Sequence, residues 1–117
     1  MTSNVLIWHA FDNGDSIGES GSESGIIVRD VEHIDGARIT LERDGGIVPF
    51  AITCGIYGWM VHTRYFSNEA EGQQEFDKMQ VSLDEILRKI PFDDDPDLDA
   101  KIEVAKKEIS NFVEQYP

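Results

Sequence analysis

Asp93, Asp95, Asp97 and Asp99 alternate along the chain, the spacing of the first ligands of a calcium-binding loop. Such a loop also needs Gly at its sixth position to turn and a bidentate Glu at its twelfth to complete the oxygen shell. Counted from Asp93 those positions hold Leu98 and Val104, and counted from Asp95 they hold Ala100 and Lys106. Helix capping accounts for the run better: Asp95 is placed to cap, Pro96 to open the helix, and Asp97 and Asp99 to lie at the positive end of its dipole. The stretch Asp12-Asn13-Gly14-Asp15-Ser16-Ile17-Gly18-Glu19 also offers oxygens and glycines. Its spacing fits neither a metal template nor a phosphate-binding GxxxxGK loop.

The histidines are His9, His33 and His62, none four residues from another. If the first and last strands were neighbours, His9 and His62 would approach, and Glu32 or Asp30 would complete a metal site. The competing reading is that each is a hydrogen-bonded structural residue. Cys54 follows Val48, Phe50 and Ile52 in alternation, which places it on an apolar strand face. An acidic chain raises a thiol's pKa, so it reads as a core residue and not a nucleophile. No GxSxG elbow or triad order is present, no catalytic residue is assigned, and no cofactor is expected.

Charge narrows the partners. Ten Lys and Arg stand against 23 Asp and Glu, a net charge of −13. Nucleic acid and anionic membrane surfaces both need clustered cations, and the sequence has no such cluster free of neighbouring acids. No stretch approaches the roughly 20 apolar residues of a membrane span. One cysteine permits no intramolecular disulfide, and Met1-Thr2-Ser3-Asn4 lacks the basic start of a signal peptide, so a cytoplasmic location is expected.

At 117 residues, with 40% hydrophobic residues, the sequence predicts one α+β domain over 1–117. An N-terminal antiparallel sheet of about five strands in a meander is expected, followed by two or three helices packed on one face. Strand one covers residues 5–11, and the Gly, Ser and Glu of Asp15–Ser24 predict a mobile surface loop. Gly25–Ile34 and Ala37–Arg43 follow, joined by the turn signal Asp35-Gly36, with Ala37, Ile39 and Leu41 on one face. Residues 47–54 form the next strand, where Pro49 predicts an edge position or bulge. A turn near Gly55 leads into Ile56–Phe66. Phe76, Met79, Leu83, Ile86, Leu87 and Ile90 then mark a helical stripe that Pro91 ends, as one helix or two. Leu98, Ile102, Ala105, Ile109, Phe112, Val113 and Tyr116 mark the last helix.

The strand Ile56–Phe66 holds the densest aromatics. Tyr57, Trp59 and Tyr65 alternate on one face, and helices following the sheet cover only one side. Tyr57, Trp59, Tyr65 and Trp8 are therefore candidate partner-binding residues, against the alternative that they are core. Three readings of function follow. The first is a noncatalytic protein-binding or inhibitory module of the immunity type that meets a basic protein partner. The second is a small metal-binding protein or enzyme using His9, His62 and Glu32. The third is a homodimer paired through the aromatic strand face.

Overall fold

The computed structural model describes residues 7–46 and 48–117. Val5, Leu6 and Ile47, which the sequence places in strands, lie outside them. Five strands, β1 (Trp8–Ala10), β2 (Ile26–His33), β3 (Ala37–Gly45), β4 (Val48–Ile56) and β5 (Met60–Phe66), pair in chain order as an antiparallel meander. Two helices follow, α1 (Glu69–Leu87) and α2 (Leu98–Gln115).

The alternation in β3 produces the sheet's two faces. Ala37, Ile39 and Leu41 are completely buried beneath α1, and their cross-strand partners Ile56, Cys54 and Ile52 extend that layer. Phe76, Met79 and Leu83 of α1 close it. The predicted stripe is therefore one helix; it starts where the Asn68 side chain accepts a hydrogen bond from the Glu71 N–H, and Ile90 packs just beyond its end. Helix α2 adds Ala105, Phe112 and the following Tyr116, while Val113 of its predicted stripe stays exposed.

Four local expectations change. The turn expected near Gly55 lies at Tyr57-Gly58-Trp59: the Trp59 N–H donates to the Ile56 carbonyl, and Gly58 has φ 82, a left-handed value that Gly alone adopts freely. Gly55 is a paired strand residue opposite Arg38 and Val61. Pro49 sits on an inner strand, but in its end: β4–β5 pairing begins at Phe50↔Phe66, so β4 overhangs there. Asp95 does not cap α2. Its carboxylate turns back to accept from the Phe92 N–H, and Asp97, with φ 56, occupies the cap in place of a helical Pro96.

The fourth change is the loop. The composition of residues 15–24 predicts a mobile surface loop, yet Gly18 N–H donates to Ile27 O, Ile27 N–H to Glu19 O, and Gly21 N–H to Gly25 O. Ser16 is buried. Residues 18–20 therefore pair alongside β2, and the residues after them turn back over Glu42 of β3, on the sheet face opposite the helices. A bulge at Val28 assists this: Ile27 pairs with Glu42 and Arg29 with Leu41, so Ile27 turns toward the loop while Arg29 turns toward α1. There Arg29 bonds Gln73 and Asp77 and lies 3.9 Å above the Phe76 ring.

Candidate functional site

The face that the helices leave uncovered is read by following register across the strands. One row runs Glu32, Arg38, Gly55, Val61; the next Asp30, Thr40, Thr53, Thr63; a third Glu42, Ala51, Tyr65. Gly55 contributes no side chain, so between Arg38 and Val61 the floor is bare backbone. The loop Ser20-Gly21-Ser22 and the hairpin turn around Tyr57 rise on either side and leave a groove of about 740 Å³. That volume suits a ligand or an inserted side-chain cluster. Hydroxyls of Ser22, Thr53 and Thr63 form a line of 3.4 Å contacts along it.

Two buried acids build the walls. Glu42 is 1% exposed, and its carboxylate accepts from the N–H groups of Glu23 and Gly25 at 3.0 to 3.3 Å. A side chain on Gly21 would begin 2.3 Å from the Glu42 carboxyl carbon, so any larger residue where the loop passes over it must displace that carboxylate. Glu42 thus converts a flexible Gly and Ser segment into a fixed wall. Asp30, also buried, holds Arg38 through two hydrogen bonds of 2.9 and 2.7 Å and accepts a third from Ser16 at 2.7 Å. The guanidinium then stacks 3.5 Å over the Phe11 ring. These bonds to Asp30 raise the Arg38 pKa further above its ordinary value.

The exposed tyrosines carry the face's free chemistry. Tyr57 donates to Glu32 at 2.7 Å, and Tyr65, toward the other end of the face, donates to Glu23 at 2.6 Å. Both rings are more than half exposed, and Val61 between them is 80% exposed. Partial desolvation and the bond to Glu32 push the Tyr57 phenol up to about 12, and the bond to Glu23 raises that of Tyr65. Each site therefore presents an aromatic ring beside a carboxylate that accepts from its phenol, Glu32 also contacting His9. A Lys or Arg side chain fits such a pair, over the ring and against the carboxylate.

Of the four aromatic candidates, Tyr57 and Tyr65 share this open face. Trp59, half-buried at the hairpin turn, lines the groove beside Tyr57 and also packs against the core. Trp8 lies on the helix-covered face, half-buried, its ring edge-on to His33 at 4.8 Å. The histidines go separate ways. His9 pairs with Glu32 at 3.2 Å on β1, whereas His62 is on β5 at the opposite edge of the sheet and donates to the Tyr116 carbonyl, so the set His9, His62 and Glu32 does not converge. Buried His33 bonds Asp84 at 2.7 Å and accepts the Asp35 N–H at its Nδ1. Among the described residues, no three His, Cys, Asp or Glu side chains form a group that could hold a metal ion. Cys54 is buried, and desolvation pushes its thiol up to about 12, far from nucleophilic range.

Glu23, Glu32 and Glu42 join the site without a sequence pattern of their own. Gly21 and Gly25 were the available signal for the Glu42 cradle, but nothing local links them to a residue 17 or more positions away. No helix among the described residues is long and apolar enough to cross a membrane. No family model matches the chain, and neither a curated protein nor a solved structure matches it.

Proposed function

We propose that this protein is a noncatalytic, cytoplasmic protein-binding module, of the kind that inhibits or neutralises its target, and that it meets a basic protein partner through the uncovered sheet face. The observation that carries this reading is the pair of exposed tyrosines, Tyr57 and Tyr65, each hydrogen-bonded to a carboxylate on that face. Cation–π contact with the ring and charge attraction by the carboxylate select Lys and Arg together. A net charge of −13 would steer such a partner from a distance and disfavours nucleic acid and anionic membranes. Val61 and the groove beside it supply the apolar centre that interface anchors need.

The test is affinity capture from native cell extract at low salt, repeated at high salt. A stoichiometric protein of high pI, lost as salt rises, is the expected result. Retention of no stoichiometric protein at low salt, or of one that is acidic and insensitive to salt, would remove the reading.

A further inference from the structure

Strand β5 is an edge strand of seven residues, and its pairing with β4 runs unbroken from Phe50↔Phe66 to Ile56↔Met60. In an antiparallel pair, alternate N–H and C=O groups of an edge strand point away from the neighbour, about three of each over seven residues. Among the described residues, no backbone or side-chain group outside β4 bonds to the backbone of Met60–Phe66. Natural edges are normally blunted by Pro, a bulge, a free Lys or a covering segment. β5 has no Pro, Gly or Lys and no bulge. Its one strong cation, Arg64, is already bonded to Glu75 and to the Pro117 carbonyl.

Resting on the binding reading above, we infer that β5 accepts an extended segment of the basic partner as a sixth strand. Charge selects this occupant over a second copy of the chain. Two copies would each bring −13, and antiparallel self-pairing centred on Thr63 would set His62 against Arg64 across the seam. A strand with alternating side chains places every second one beside Val61, Thr63 and Tyr65 on the open face, within reach of Glu23. Lys or Arg belongs at those positions. The intervening residues would face Met60, His62, Arg64 and Phe66 and are apolar or β-branched. Backbone bonds would supply affinity along the edge, and the tyrosine and carboxylate pairs would supply the selection for cations.

A ten-residue peptide alternating Lys and Val, added to the full chain at low ionic strength, tests this by NMR, with an alternating Glu and Val peptide as the control. The Lys peptide is expected to shift resonances from Met60 to Phe66. It should slow by roughly tenfold or more the exchange of those β5 amides that exchange fast in the free chain. The Glu peptide should do neither. Shifts at Tyr57, Val61 and Tyr65 with unchanged β5 exchange would overturn strand addition and leave the open-face reading standing. No binding of the Lys peptide would also overturn strand addition, while the affinity capture above judges the face itself. Sedimentation showing a dimer whose β5 amides are already protected would assign the edge to a second copy instead.

Discussion

The two faces of this sheet use their alternate residues for opposite ends. Beneath α1, β3 and β4 contribute Ile39, Leu41, Ile52 and Cys54 and nothing polar, and the layer is closed. On the other face the same strands contribute Arg38, Thr40, Glu42, Thr53 and Gly55, and what covers them is a Gly and Ser loop fixed by hydrogen bonds. Stability resides in the first face, because apolar burial is its main source. The second face holds buried acids whose satisfaction depends on a few N–H groups, and it leaves aromatics in water. It is the surface we propose for partner contact.

Substitutions should divide along this line. Phe76→Ala, in the closed layer, is expected to cost about 3–5 kcal/mol in urea denaturation. A loss under about 1 kcal/mol would mean that the helix face is not the main core. Glu42→Ala leaves the Glu23 and Gly25 N–H groups without their acceptor and should cost about 1–3 kcal/mol, with faster exchange at both amides. Gly21→Ala, which displaces the same carboxylate, should be destabilising by a similar amount. The double variant should then cost less than the sum of the two, since the clash partner is gone. Additive losses would show that Glu42 does not hold the loop.

Cys54 offers a kinetic comparison. Burial and a raised thiol pKa predict that it reacts with a disulfide reagent at pH 8 no faster than the chain unfolds. Tyr57→Ala and Tyr65→Ala, on the open face, should each change stability by no more than about 0.5 kcal/mol. A further effect is on pH. Tyr57 titrates near 12 when folded and near 10 when unfolded, so its contribution is complete below pH 10 and is lost as pH rises toward 12. Tyr57→Phe should remove the tyrosinate absorbance that develops last in a folded-state titration. An unchanged late phase would mean that Glu32 does not hold this phenol.

Much of the fold was legible in the sequence because it follows from period. The alternation of Ala37, Ile39 and Leu41, the turn at Asp35-Gly36 and the stripe of Phe76, Met79 and Leu83 each specify an element from neighbours in sequence. The site was only half legible. Tyr57 and Tyr65 stand out as aromatics on a face the helices do not reach, but the run of strand-forming residues conceals the turn at Gly58 that carries Trp59 to the rim of the groove. The pairs Tyr65 with Glu23 and Glu42 with Gly25 span 42 and 17 residues, and no local pattern encodes them. His33 with Asp84, 51 residues apart, is hidden for the same reason. The acidic run at Asp93–Asp99, the most conspicuous feature of the sequence, serves a turn and a helix start.

We propose that the open face, and not the helices or the acidity at large, recognises a basic partner. The most direct measurement is parallel affinity capture with the wild-type chain and with a Tyr57→Ala, Tyr65→Ala double variant, each checked for its melting temperature. The variant is expected to melt within a few degrees of wild type and to retain at least roughly tenfold less of the protein that the wild type captures at low salt. Equal capture of that protein by a folded variant would contradict it.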